Sequence, residues 1–233
     1  MLFRSAGSAI TVDVTVDPVP TASANNQVIC SGTGTNIVLS NPNAVAGTQY
    51  FWTVVQSNVT GASNSGTLAA PVSGPIIQTL TASSSAGGTA TYTITPVVGA
   101  AGCPGIPVIA TVTVNAIPNA AASPQTICSG VTSSVAISNP NLVTGTTFKW
   151  TAAIQSGSPT GFTNGSGATI SQSLSTNNAV GVVRYTITPS ANGCAGTPIT
   201  VDVTVDPVPT ASANNQVICS GTGTNIEIGR AHV

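Results

Sequence analysis

The chain has 233 residues, with four Lys or Arg, five Asp or Glu, one His and a formal net charge of -1; charged residues are 4 % of it, where a soluble domain ordinarily carries roughly a quarter. Gly numbers 24 and Pro 16, while aromatic residues are only 4 %, a turn-rich composition unlike that of a helix-rich enzyme. No cluster of Lys or Arg is present to neutralise phosphates, which excludes nucleic acid and anionic membrane surfaces as partners.

Along the chain the first strand signal is ITVDVTVD at 10–17, in which Ile and Val alternate with Thr and Asp, the period of a half-buried strand. Further candidate strands are QVIC (27–30), NIVLS (36–40), QYFWTVVQ (49–56), PIIQTL (75–80), ATYTITP (90–96) and VIATVTVN (108–115), separated by Gly, Pro, Asn and Ser clusters. No window holds a 3.6-residue apolar period. The apolar stretch 97–114 contains Gly and Pro and reads as loop plus strand, so no membrane insertion is expected.

The same elements then come round again. Residues 10–37 recur unchanged at 199–226, and a diverged copy lies between them. VNAIPNAAASPQTICSG (114–130) aligns with VDPVPTASANNQVICSG (16–32), SNPNLVTGTTFKWT (138–151) with SNPNAVAGTQYFWT (40–53), and RYTITP (184–189) with TYTITP (91–96). The organisation expected is the last strand of a preceding module (6–18), two complete modules (19–116 and 117–207) and the start of a third (208–226). Six or seven short strands per module predict an all-β chain of tandem Ig-like β-sandwich modules. Pro18, Pro20, Pro118, Pro207 and Pro209 would stiffen the linkers.

Residues 1–5 (MLFRS) and 227–233 break the repeat, and both strings correspond to translations of a sequencing adapter and its reverse complement. They are expected to be adapter-derived and foreign to the fold. Setting them aside leaves Lys149 and Arg184 against Asp13, Asp17, Asp202 and Asp206, with no His and no Glu. That inventory supplies no catalytic residue, no metal site and no cofactor site, since Ser-His or Cys-His nucleophiles and His-ligated metals both need the missing groups. The Asp residues read as solvent-facing strand positions; calcium would need more oxygen ligands, and the middle copy has Thr111 and Asn115 at the matching places. GTGTN (32–36) lacks the Lys of a phosphate loop and reads as a turn, and NVT (58–60) and NGS (164–166) match the N-glycosylation pattern.

Alignment of YFW (50–52) with FKW (148–150) keeps the outer positions aromatic and lets the middle one become Lys. On a strand this points Tyr50, Trp52, Phe148 and Trp150 into the core, with a sugar-stacking platform as the alternative for the two Trp. Phe51 and Phe162, without aromatic counterparts, are the candidates for a contact surface. The five Cys occur singly at repeated places. The pairs expected are Cys30–Cys103 and Cys128–Cys194, each closing a loop of some 70 residues worth about 4 kcal/mol, with Cys219 left over by truncation. Buried free thiols are the alternative. Disulfides would imply an oxidising compartment.

The order CSG, SNPN, Y/F-x-W-T, YTITP, GC-x-G-x-P and a V-x-V strand ending in Pro resembles the PKD-like, Ig-like repeats of large secreted surface proteins of Bacteroidetes, over nearly all of 6–226. The resemblance implies a gliding-motility-type adhesin, export by type IX secretion and an outer-surface location. FWTVVQS and KWTAAIQ replace the W-x-F-G-D-G-like segment of typical PKD domains, so no functional residue carries over. The function expected is a non-catalytic spacer or stalk of a cell-surface or secreted adhesin, partnered by neighbouring modules and by a surface glycan or protein. The alternative is a glycan- or protein-binding accessory module of an extracellular hydrolase.

Overall fold

A computed structural model describes residues 7–14, 16–65, 70–98 and 102–229. Of the segments expected to be foreign, residues 1–5 and 230–233 therefore lie outside the described residues. The chain divides into two compact units, Met1–Thr81 with Gly88–Val114 and Ala82–Gly87 with Asn115–Val233. Each carries one β-sandwich.

The strands of the first repeat are β1 (Ser23–Ala24), β2 (Gln27–Cys30), β3 (Thr33–Gly34), β4 (Leu39–Ser40), β5 (Thr48–Ser57), β6 (Val59–Thr60), β7 (Thr79–Ala82), β8 (Gly88–Val98) and β9 (Val108–Asn115). One sheet has the order β2-β9-β8-β5, and opposite it lie β3-β7-β6 and the pair β1-β4. NIVLS and PIIQTL are less regular than expected: Ile37 and Ile76 meet in an isolated bridge, with ladder pairing restored only at β4 and β7.

The second repeat supplies β10 (Ala121–Ala122), β11 (Gln125–Cys128), β12 (Val135–Ser138), β13 (Thr147–Ser156), β14 (Gly165–Ser166), β15 (Thr169–Ile170), β16 (Gly181–Ala191), β17 (Cys194–Ala195) and β18 (Ile199–Asp206). Its large sheet runs β11-β18-β16-β13-β14, with β17 on β16, and faces β10-β12-β15. β11 is parallel to β18, while β18, β16 and β13 are mutually antiparallel. β16 turns into β17 through Asn192 and Gly193, whose φ of 50° and 81° give the left-handed pair that a two-residue hairpin requires.

Period-2 alternation decides what is buried. Ala90, Tyr92 and Ile94 on β8 and Ala110, Val112 and Val114 on β9 point inward and are fully buried, as are Val183, Tyr185, Ile187, Val203 and Val205 on β16 and β18. Each such Val or Ile contributes about 1.5–3 kcal/mol of apolar burial. The opposite layer closes the core with Ile37, Ile76 and Leu80 in the first repeat, and Ile170 and Leu174 in the second.

Beyond the second sandwich, β19 (Ser212–Ala213) pairs with β20 (Ile228–Gly229) in the register that β1 makes with β4. Residues 228–229 thus occupy the strand position of Leu39–Ser40 although the sequence has departed from the repeat. At the other end, 10–14 and 16–17 form no strand, and Ile10, Val12, Val14 and Val16 are exposed.

Candidate functional site

In each repeat one recurring set of side-chain hydrogen bonds lies at the pole where the incoming chain meets two loops. The SNPN loop follows β4 in the first repeat and β12 in the second. Its first Asn binds its own loop: Asn41 Nδ2 donates to the Val45 carbonyl and to Thr48 Oγ1, and Asn139 Nδ2 to the Val143 carbonyl and Thr146 Oγ1, at 2.8–3.0 Å. Its second Asn holds the linker. Asn43 Nδ2 donates to the Val19 carbonyl at 2.9 Å, and its Oδ1 accepts the Thr21 N–H at 3.0 Å. Asn141 repeats this with the Ile117 carbonyl at 2.8 Å and the Asn119 N–H at 3.0 Å. Gly105 and Gly196, from the GC-x-G loop, complete the clamp: a Cβ on either would collide with the carbonyl oxygen of Pro20 or Pro118. A turn residue without a side chain is what lets the linker backbone lie this close. We call this end the inlet pole. The opposite end, where β9 and β18 finish, is the outlet pole.

A second shared arrangement lies within the core. The Tyr92 hydroxyl donates to Gln78 Oε1 at 2.8 Å, and Gln78 Nε2 donates in turn to the Ser63 carbonyl. In the second repeat Tyr185 donates to Gln172 Oε1 at 2.8 Å, and Gln172 Nε2 to the Thr163 carbonyl. The backbone N–H groups of the same two Gln donate to hydroxyl oxygens on the adjoining segment, Gln78 to Thr35 Oγ1 and Gln172 to Ser133 Oγ. Desolvation pushes both tyrosine hydroxyls up to about 12. Tyr92 and Tyr185 are core aromatics that the sequence does not mark by any aromatic cluster. Their signal was the inward parity of YTITP.

Tyr50, Trp52, Phe148 and Trp150 are all placed in the interior. The two indoles differ. Trp52 Nε1 donates to the Ser63 carbonyl at 3.1 Å, whereas Trp150 Nε1 is buried without a partner among the described residues. Phe51 stands half-buried on the outward parity of β5, opposite Thr95, and Phe162 packs against the second core. A shallow depression of about 480 Å³ beside Ala121–Gln125 carries no charged and no aromatic side chain. Among the described residues no three His, Cys, Asp or Glu cluster as metal ligands would.

On the outward face the repeats diverge. Arg184 makes a bidentate pair with Asp202, Nε to Oδ1 and Nη2 to Oδ2 at 2.8 Å each. The hydrogen bond from Arg184 holds the Asp202 carboxyl below its ordinary value, and Arg184 is raised by the same bond. Thr91 faces Thr111 at the corresponding place in the first repeat, and Phe51 stands where Lys149 does.

The cysteines require a correction. Cys103 and Cys128 are exposed free thiols, and so is Cys219, while Cys30 and Cys194 are disulfide-bonded. Neither Cys30–Cys103 nor Cys128–Cys194 is formed. The register explains it: Cys128 lies beside Asp206 at the outlet pole, and Cys194 beside Ala191, at the far end of β16. β16 pairs Gly181 with Val205, so ten residues of extended chain separate the two cysteines, about 30 Å at 3.3 Å per residue. A disulfide needs Cα atoms within about 7 Å. Cys103, next to the Val97–Pro104 bridge, stands at the inlet pole of the first repeat in the same way.

Two successive β-sandwiches, each with its own core and its own linker clamp, define a tandem Ig-like module protein. The profile of the PKD-like domain matches residues 27–118 and 125–209, and the chain belongs to that family. No curated protein matches the chain at a significant level. Among solved structures, the chain is similar to DIP-gamma IG1+IG2 (10 % identity, 82 % of this chain and 99 % of that one, TM-score 0.36). It is similar also to Sidekick-1 immunoglobulin domains 1–4 (12 %, 81 % and 48 %, TM-score 0.41). A third is a SusE-like surface located polysaccharide binding protein from the Bacteroides thetaiotaomicron heparin utilisation locus (10 %, 81 % and 34 %, TM-score 0.30). No helix among the described residues is long and apolar enough to cross a membrane.

Proposed function

We propose that these repeats are non-catalytic spacers in a large secreted or cell-surface adhesin, carrying a distal binding domain away from the surface. One observation carries this reading: what the two repeats share is framework, and what they do not share is surface. The Trp, the Tyr–Gln network, the SNPN clamp and the GC-x-G loop recur position by position. Phe51, Thr91 and Thr111 on one outward face answer to Lys149, Arg184 and Asp202 on the other. A repeated binding module would have to keep ligand-contacting side chains on its face, whereas a spacer has only to keep its fold and its junctions. PKD-like domains are typically extracellular and non-catalytic, which agrees with an adhesin of the Bacteroidetes surface type.

The test is binding by the full chain to a glycan array and to immobilised extracellular matrix proteins. A spacer gives no saturable binding to either. Saturable binding that Phe51→Ala or Phe162→Ala abolishes, with the melting temperature unchanged, would overturn the reading in favour of an accessory binding module.

A further inference from the structure

We propose that Asn192–Gly193, the turn between β16 and β17, is a self-modification site at which the chain converts its own asparagine into an isoaspartyl residue. The inference goes beyond the spacer reading and stands without it, because it rests on the chemistry of one turn.

The chain holds two Asn-Gly dipeptides, at 164–165 and 192–193, and the fold treats them in opposite ways. Cyclisation at such a dipeptide needs the glycine nitrogen to swing within about 3–3.5 Å of the asparagine Cγ, so the side chain and the peptide must both be free to move. Asn164 has neither freedom. Its Oδ1 accepts the Ala152 N–H at 2.9 Å, and Gly165 is paired with Trp150 in the ladder of β13 and β14. That glycine is also pressed on the indole, where an added Cβ would lie 2.6 Å from a ring carbon.

Asn192 and Gly193 are both exposed. The register pairs Ala191 with Cys194, which leaves the two turn residues outside the ladder. Among the described residues no hydrogen bond holds the Asn192 side chain or the Gly193 N–H, and an added Cβ on Gly193 would meet nothing within 4 Å. The hydrogen bond made to this peptide comes from Asn115, whose Nδ2 donates to the Asn192 carbonyl at 2.9 Å. It draws electron density from the peptide and makes the N–H a better acid, while leaving the nitrogen uncovered. The first repeat has Ala101 before Gly102 at the matching place, so the site belongs to the second repeat alone.

Chemically, hydroxide takes the proton from the Gly193 nitrogen, which attacks Asn192 Cγ. The Cγ–Nδ2 bond breaks, Nδ2 leaves as ammonia, and a five-membered succinimide closes. Water then adds to one of the two ring carbonyls. Opening at Cγ gives an ordinary aspartyl residue; opening at the main-chain carbonyl gives an isoaspartyl residue, in which the chain runs through Cβ and Cγ. The sum is asparagine and water to acid and ammonia, with no oxidant or reductant. Either product adds one negative charge to a formal net charge of -1. The isoaspartyl product also puts an extra carbon into the main chain of a turn that residues at φ 50° and 81° close. Gly196 of the same loop lies against the Pro118 carbonyl, so the clamp loosens with the turn.

The experiment ages the folded full chain at mildly alkaline pH, and in parallel the same chain in guanidinium chloride. Both are then mapped by peptic digestion and fragmentation that tells aspartyl from isoaspartyl. In the folded chain Asn192 should be converted at least about tenfold faster than Asn164, chiefly to isoaspartate, and in denaturant the contrast should disappear. Equal rates at the two places in the folded chain, or an intact Asn192 there while the denatured chain reacts, would overturn the proposal. Asn192→Gly keeps a residue suited to the turn and removes the amide. Ageing should lower the melting temperature of the second unit in the parent and leave that of Asn192→Gly unchanged; an equal fall in both would overturn the proposal. Neither measurement reads ligand binding, so the spacer reading can fail while this one holds, and the reverse.

Discussion

Residues 10–37 and 199–226 are the same 28 amino acids in two settings, and they do not take the same structure. At 199–206 the sequence ITVDVTVD is β18, with Val201, Val203 and Val205 buried between β11 and β16. At 10–14 and 16–17 it forms no strand, and its Val12, Val14 and Val16 are about 80 % exposed. The reverse holds downstream. QVIC is β2 at 27–30 but no strand at 216–219, and Ile37 is fully buried where Ile226 is 56 % exposed. Local turn contacts survive in both: Gln27 Oε1 accepts the Asn36 N–H at 2.9 Å as Gln216 Oε1 accepts that of Asn225, and the Thr33 and Thr222 hydroxyls bond the carbonyls of Cys30 and Cys219. Turn chemistry needs only neighbours in sequence, whereas a strand needs a partner ladder and a facing layer to bury its apolar parity.

The widest break in this comparison comes from a buried charge. Val203→Asp puts a carboxylate without a partner in the core and should destabilise the second unit by more than about 4 kcal/mol, abolishing its melting transition. Val14→Asp, the same change in the identical segment, should leave every transition within about 0.5 kcal/mol of the parent. Equal effects in thermal melts would mean that 10–17 is packed in solution.

The Tyr–Gln networks predict the next effect, on alkaline stability. Both tyrosines have folded values raised to about 12 against an ordinary 10, so the stability they confer is complete below pH 10 and is lost as pH rises through about 12. Urea melts from pH 9 upward should show that decline, and Tyr92→Phe with Tyr185→Phe should flatten it while costing about 1 kcal/mol each at neutral pH. A decline of the same size in the double variant would assign it elsewhere.

A smaller contrast separates the two Trp. Trp52→Phe breaks one of the two hydrogen bonds to the Ser63 carbonyl, that from Gln78 Nε2 remaining, and should cost the first unit about 1 kcal/mol beyond the change in packing. Trp150→Phe removes a buried N–H that has no partner among the described residues, and should cost the second unit less. Trp fluorescence of each single variant resolves the two transitions.

The smallest effect belongs to Asp202. Its carboxyl is held below the ordinary value by Arg184, so its contribution is present above about pH 4 and fades as pH falls through the lowered value. Asp202→Asn should remove a slight acid dependence from the second unit, read by urea melts between pH 5 and pH 3. Both members of the pair are about a third exposed or more, which keeps the effect small.

The fold class and most strands were legible because the alternation in ITVDVTVD, VIATVTVN and ATYTITP is strict and the turns between them are marked by Gly, Pro and Asn. The clamp was visible only as a repeated string: SNPN recurs in the sequence, but nothing local says that Asn43 and Asn141 reach back 22 to 24 residues to hold the linker. The cysteine pairing was not legible for a related reason. The repeat puts two cysteines in each module, but membership of one module does not bring them close. Whether β11 runs parallel or antiparallel to β18 decides which pole Cys128 reaches, and strand direction leaves no trace in a four-residue string such as QTIC.

That parallel ladder also fixes how the second repeat would respond to tension. The chain comes in ahead of β11 at one end and leaves from β18 at the other, with Gln125, Thr126, Ile127 and Cys128 paired to Val203, Thr204, Val205 and Asp206. Pulling the two ends apart slides these strands along each other, so the hydrogen bonds between them are strained together in shear. An antiparallel terminal hairpin pulled from its open end would unzip one bond at a time, at far lower force.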